Sequence, residues 1–328
     1  MTPSATFRQR AEFALFRCVE GAVSALPTPV AVRLCRGLAG LVCALPNKLN
    51  RGKVARENLA VAFPELTEAE ANARIRAMWT HLFRLVTEMA VFNRKMRRGN
   101  IMDVICFRNR DETTRALNAG RPLIVLGGHF GNWEVSAASF GAFGIPISVV
   151  ARDMDNPLIH GWFEEKRRTS GGRLISKKGG GSEVTEVLEA GGIVGLLGDQ
   201  DAGSRGLFVP FFGKDASTFK SIALLAQQYD ALVMVGYARR LPDDFRRNHW
   251  VRFEVGTEAI FDPRDFTAET AVRDLTAAYT SALERLVRKS PEQYFWVHRR
   301  WKSVPKPRGR KARERIAAAQ KQEQAVAA

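Results

Sequence analysis

The chain has 328 residues and a mass of 36.5 kDa, enough to bury a sizeable core in one large domain or two small ones. Hydrophobic residues make up 45% and charged residues 26%, which excludes a disordered chain. The formal charge is +16, but residues 1–60 carry +6 and residues 299–328 carry +8, so the body is nearly neutral and the ends are basic. That distribution suits contact at the ends with something anionic, whether membrane phosphates, nucleic acid or an acidic carrier protein. Cys18, Cys35, Cys43 and Cys106 form no CxxC pair and no His/Cys cluster, so neither a structural zinc site nor a disulfide framework is expected and a reducing, cytosolic side fits.

The N-terminus is no clean signal peptide, because Glu12, Arg17 and Glu20 interrupt any apolar stretch. Residues 7–25 and 28–45 read as helices rich in Phe, Ala, Leu and Val with arginines interspersed. The longest uncharged run, Gly37 to Asn47, has 11 residues, whereas a spanning helix needs about 20. Residues 1–50 are therefore expected to lie in a membrane interface, with arginines reaching headgroups. Core-packing helices and a true span are the alternatives. Pro64 ends a further helix, and Thr67 with Glu70 forms a capping box that opens the next, whose apolar positions run from Ile75 to about Phe92.

The middle of the chain alternates strand and helix. The apolar run 122–127 reads as a buried parallel strand, with further strands near 147–151, 192–197, 231–237 and 249–256. Helices are expected near 132–141, 156–169, 182–190, 217–229 and 270–289. This predicts an α/β fold over residues 51–302, with a mainly parallel central sheet flanked by helices. Residues 303–328 read as a basic, solvated tail.

Three of the five histidines have a carboxylate five positions later: His129/Glu134, His160/Glu165 and His249/Glu254. His160 lies in a predicted helix, where its natural partner is Glu164 one turn on. His249 and Glu254 fall on opposite faces of a predicted strand. His129 differs. It follows a strand through Gly127-Gly128 and precedes a helix, and in an open parallel sheet the carboxyl ends of the strands are where ligands bind. A loop histidine there can fold back onto Glu134, which would fix its tautomer and leave the other ring nitrogen as a general base. A buried histidine satisfied by Glu134, with no chemistry, is the alternative.

The segment Gly127-Gly128-His129-Phe130-Gly131-Asn132-Trp133-Glu134 resembles the HX4(D/E) signature of the lysophospholipid-type acyltransferases. More narrowly, the chain resembles the late acyltransferases of lipid A biosynthesis, the lauroyl/myristoyl transferase family. Further blocks in that family's order are Arg56-Glu57-Asn58-Leu59 with Phe63-Pro64-Glu65, Arg152 with Asp155-Asn156-Pro157-Leu158, Gly198-Asp199-Gln200-Asp201 with residues 208–213, and residues 291–302. The likeness covers roughly residues 10–302. It implies transfer of an acyl chain from a thioester, typically on acyl carrier protein, to a hydroxyl of a phosphorylated glycolipid, the lipid A precursor. It implies a glycerol-3-phosphate acyltransferase-like fold, no cofactor, no metal, and a place at the cytoplasmic face of the inner membrane.

On this reading His129 is the general base and Glu134 holds it. Candidate oxyanion donors are the backbone at Gly128 and the guanidinium of Arg152, which could equally bind an acceptor phosphate or pair with Asp153 or Asp155. Asp199, Gln200 and Asp201, again at a strand's carboxyl end, are candidates for lining the sugar or the thioester, or else form a turn cluster. Lys177-Lys178 before Gly179-Gly180-Gly181 could form an anion nest or a plain flexible turn. Arg299 and Arg300, flanked by Trp296 and Trp301, are candidates for clamping phosphate at the membrane surface, against simple packing of the last segment onto the sheet. Rival functions are the same chemistry on another lipid, such as a phosphoinositide mannoside or an ornithine-type lipid, a thioester hydrolase, and a nucleic-acid binder. Nothing in the sequence patterns supports the last, so no nucleic-acid partner is expected.

Overall fold

The computed structural model describes residues 5–96, 99–169, 171–248 and 250–305. The basic tail beyond Pro305 and the reading of His249 lie outside the described residues. Two helices open the chain, α1 (Phe7–Ala25) and α2 (Thr28–Ala44). Short α3 (Asn47–Asn50) and α4 (Gly52–Ala62) lead to the long α5 (Glu68–Lys95). The Thr67/Glu70 capping box forms as expected, each side chain accepting from the other residue's backbone N–H. Thr6 and Gln9 make a second box at the start of α1.

A seven-stranded sheet then forms in the order β1-β9-β8-β2-β5-β3-β4. Its strands are β1 (Ile105–Arg108), β2 (Leu123–Gly127), β3 (Ile147–Ala151), β4 (Gly172–Ser176), β5 (Ile193–Leu197), β8 (Leu232–Arg240) and β9 (Phe253–Phe261). Every neighbouring pair is parallel except β8 and β9. The helices between are α6 (Ile101–Val104), α7 (Arg110–Leu117), α8 (Trp133–Ala142), α9 (Pro157–Thr169), α10 (Gly181–Glu189), α11 (Ser221–Gln228) and α12 (Ala271–Lys289). The expected mixed architecture with a mainly parallel sheet is therefore present.

The central strands β2 and β8 are buried on both faces, which explains their unbroken apolar runs. Ile124, Leu126, Val233 and Val235 point into the larger core, with Leu275, Tyr279 and Leu283 of α12. Leu123, Val125, Leu232 and Met234 point to the opposite face. The sequence reading missed β1, β4 and α7. It also missed a hairpin of β6 (Leu207–Phe211) and β7 (Lys214–Thr218), whose two-residue turn puts Phe212 at φ 52° and Gly213 at φ 71°. Such a turn favours Asn or Gly first. Here Phe212 takes the position, packing its ring against Phe63 and Trp296 and stacking under Arg288.

The front helices rest on the body without being absorbed into it. Helix α1 has no buried residue, and α2 buries only Val32, Cys35 and Ala39. Leu34, Leu38 and Leu41 of α2, Leu45 just after it, and Leu15 and Val19 of α1 stay exposed at helical spacing. No helix among the described residues is long and apolar enough to cross a membrane.

Candidate active site

His129 sits in the loop from β2 to α8, and two glycines shape that loop. A Cβ at Gly128 would come within 3.2 Å of the Asp199 side chain, so the missing side chain lets that carboxylate lie directly beneath the loop. At Gly131 φ is +61° and a Cβ would stand 2.2 Å from the carbonyl oxygen of Ala238, so no other residue fits without moving β8.

The acid that holds His129 is Asp199, not Glu134. Asp199 follows β5, the strand paired with β2. One of its oxygens lies 2.8 Å from His129 Nδ1, and the other accepts the His129 backbone N–H at 2.7 Å. Glu134 instead receives a two-pronged bond from Arg167 of α9, at 2.7 and 3.1 Å. The reason is local. Asn132 caps α8 by accepting the Val135 N–H, which fixes the first turn and directs Glu134 toward α9. Glu134 still acts on the imidazole through space.

Burial alone would lower the His129 pKa, but the Asp199 carboxylate outweighs it, helped by Glu134, and the net shift is upward. Burial alone would raise that of Asp199, yet the imidazole and Arg300 bring it below the ordinary value. Asp199 is 4% exposed and is thus a buried, ionised partner that favours the proton on Nδ1. Nε2 is left as an acceptor, and it faces the side-chain amide of Gln200 at 3.3 Å. The rings of Trp133 and Phe295 flank the imidazole at 5.1 and 5.8 Å.

His129 lines a cavity of about 820 Å³. His129, Trp133, Gln200 and Lys177 line it near the imidazole, and Val125, Ile147, Phe140 and Leu225 give it apolar walls. The hydrogen-bonded register of β3 with β5 covers only Ser148↔Val194 and Val149↔Gly195, and residues from both sides of this joint line the cavity. Both its size and its mostly apolar walls suit a lipid-like ligand.

The remaining sequence candidates divide. Arg152 lines the cavity but is 80% exposed and pairs with Asp155 at 3.2 Å, as a surface arginine would. Lys177 reaches the cavity with its ammonium 5.6 Å from the Phe219 ring centre. Asp201 belongs to a turn: its backbone N–H donates to His298 Nε2 and its carboxylate accepts from Gly203 N–H and Ser303. Arg299 is exposed. Arg300 is 2% exposed, and its guanidinium donates to the Ser217 and Gln200 carbonyls and to Thr218 Oγ1, so it is not available to a membrane phosphate. Trp296 is fully buried and donates to the Pro291 carbonyl, which removes it from any interfacial role. His160 faces Met154 and Asp153 rather than Glu164. Among the described residues, no group of three or more His, Cys, Asp or Glu side chains could hold a metal ion.

A buried polar network that sequence reasoning missed clamps the loop from behind. Arg240 of β8 makes a fork to both oxygens of Glu88 on α5 and donates to Nδ1 of His81 at 2.8 Å. That leaves the proton on His81 Nε2, which donates to the Gly131 carbonyl at 3.0 Å. Burial, with Arg240 beside it, holds the His81 pKa well below the ordinary imidazole value and so keeps it neutral. Glu88 also accepts from Asn132 at 3.0 Å, and Gln293 exchanges two bonds with the Arg240 backbone. His81 and Glu88 lie two turns apart on α5, a spacing that shows they share a helix face, but Arg240, Asn132 and Gln293 come from distant segments that no sequence spacing connects to them.

Comparison with known proteins shows the family. The family model for bacterial lipid A biosynthesis acyltransferases matches residues 5–303. The lipid A biosynthesis lauroyltransferase of Escherichia coli K12 is 30% identical over 290 residues, covering 85% of this chain and 88% of that protein. The palmitoleoyltransferase of the same organism is 26% identical, over 85% and 87%. A lipid A biosynthesis acyltransferase of Haemophilus influenzae is 23% identical, over 85% and 86%. The chain belongs to the bacterial lipid A biosynthesis acyltransferase family and is an acyltransferase.

Proposed function

We propose that this enzyme moves a fatty acyl chain from an acyl carrier protein thioester to a hydroxyl of a lipid A precursor, with His129 as general base and Asp199 as its orienting acid. The observation that carries the reading is that His129 lines a large, mostly apolar cavity, with Nδ1 held by a buried carboxylate and Nε2 met only by the side-chain amide of Gln200 among the described residues. Nε2 takes the proton from the acceptor hydroxyl as its oxygen attacks the thioester carbon. Asp199 stabilises the imidazolium that results, and the same proton then goes to the leaving sulfur. The acyl chain lies along the apolar walls. Glu134, tied to Arg167, contributes charge at a distance rather than a hydrogen bond to the ring.

The test is to supply purified enzyme with acyl carrier thioester, with and without the lipid A precursor, and to identify products by mass spectrometry. Acceptor-dependent ester is expected. Free fatty acid as the main product, formed equally without acceptor, would favour a hydrolase instead.

The enzyme works from the membrane surface. The exposed apolar stripe of α1 and α2, with arginines beside it, suits helices lying in the headgroup region. Replacing Leu34, Leu38 and Leu41 together by Glu should release the protein from anionic vesicles in a flotation assay while leaving its fold unchanged, since all three side chains are exposed. Undiminished flotation would count against this orientation.

A further inference from the structure

We infer that Gln200 is a catalytic residue: its side-chain amide donates to the oxyanion of the tetrahedral intermediate, and Arg300 positions it. This rests on the acyl-transfer reading above and adds the electrophilic half of the site.

An oxyanion donor must lie within reach of the atom that receives the hydroxyl proton; the Gly128 backbone, a candidate from sequence, lines the same cavity, while several other polar groups around the imidazole are committed elsewhere. The His129 backbone N–H is bonded to Asp199, that of Gly131 to the Gln293 carbonyl, and that of Asn132 to the Ala238 carbonyl. Arg167 is held by Glu134, and Arg152 is an exposed partner of Asp155. The Gln200 amide has its nitrogen 3.3 Å from His129 Nε2 and lines the cavity. Because Nε2 is the acceptor of that pair, the amide presents an N–H to the position where the reacting oxygens gather.

The backbone around Gln200 is fixed on both sides. Asp199 is held by the histidine, and Asp201 by His298, Gly203 and Ser303. From below, Arg300 Nη1 donates to the Gln200 carbonyl at 3.4 Å, and the same guanidinium is anchored on β7 through Ser217 and Thr218. An almost wholly buried arginine is costly to keep unless its contacts serve something. Here it sets the height of the Gln200 backbone, leaving the side-chain torsions as its remaining freedom.

The step balances as follows. The acceptor hydroxyl displaces the amide from Nε2, its oxygen forms a bond to the thioester carbon, and its proton passes to Nε2. The carbonyl π pair moves onto oxygen, where the Gln200 N–H meets it. Collapse restores the carbonyl and breaks the C–S bond, and the sulfur leaves with that electron pair and takes the proton from Nε2. Ester and thiol are the products.

The test compares steady-state rates of wild type, Gln200→Met and Gln200→Asn with acyl carrier thioester and lipid A precursor, alongside Lys177→Met, which removes a cation that lines the cavity. Loss of one oxyanion donor should lower kcat by about 10²–10³-fold in Gln200→Met with KM for both substrates little changed. Gln200→Asn, one methylene shorter, should also be slow, and thermal melts should match wild type. Arg300→Lys should slow the wild-type enzyme but add little to Gln200→Met, because it acts through that amide. Near wild-type kcat in Gln200→Met, or a Lys177→Met variant that alone carries the loss, would overturn the assignment. An Arg300→Lys effect fully additive with Gln200→Met would remove the positioning role. A wild-type enzyme without transfer activity would instead count against the acyl-transfer reading itself.

Discussion

Replacing Asp199 by Asn should lower kcat about 10²–10⁴-fold, the range that general-base and tautomer effects span. Asparagine keeps the shape but brings an N–H₂ that can donate to Nδ1. The imidazole then carries its proton on Nε2, the wrong nitrogen for taking one from a hydroxyl. The variant also shows in the pH profile. A base works only when unprotonated, so kcat/KM rises with pH through the pKa of His129. In the wild type that pKa lies above the ordinary imidazole value because Asp199 outweighs burial. Without the carboxylate, burial prevails, and the residual activity should show its acid limb at lower pH than wild type. Glu134, Lys177, His298 and Arg300 also bear on this site. Glu134→Gln should therefore move the limb in the same direction by a smaller amount. A Glu134 variant that reproduced the whole Asp199 effect would reverse the assignment of roles.

The second large effect concerns stability. Glu88 is 4% exposed and is the carboxylate on which Arg240 makes its fork. Removing one member of a buried ion pair strands the other, so Glu88→Ala should cost about 3–5 kcal/mol in denaturant unfolding. Arg84 lies 3.5 Å from the same carboxylate and loses that contact too, although it keeps its fork to Asp243. A double replacement of Glu88 and Arg240 by Met removes both charges and should recover much of the loss, since an apolar pair of similar volume is often no less stable. A single Glu88→Ala variant within about 1 kcal/mol of wild type would show that the network contributes little, as many exposed pairs do.

The parts of the fold that the sequence made legible are those with local causes. The strand at 122–127 shows itself as an uninterrupted apolar run, and α5 shows its start through the reciprocal Thr67/Glu70 cap. Strands β1 and β4 carry arginines and partly exposed side chains, so no alternation or apolar run marks them. The hairpin at 207–218 is hidden because its turn places a phenylalanine where a small residue is usual.

The site follows the same division. His129 stands out because a glycine pair after a strand is a local signal. Its partner does not, because Asp199 is 70 positions away and arrives only through the pairing of β2 with β5. The five-residue spacing to Glu134 suggested a contact, but the cap at Asn132 turns Glu134 toward Arg167. Arg300 looked like a surface cation because sequence gives its charge and not its depth. Its role is set by carbonyls of residues 200 and 217, contributed by other segments.

The central claim is that the imidazole of His129 performs the proton transfer, and a single comparison tests it most directly. Acyl transfer from carrier thioester to lipid A precursor should be measured for wild type and His129→Ala under saturating substrates, with melting curves to verify that both fold. The account predicts a fall of at least about 10²–10⁴-fold in kcat for the variant at unchanged melting temperature. A folded His129→Ala enzyme that turns over near the wild-type rate would contradict it.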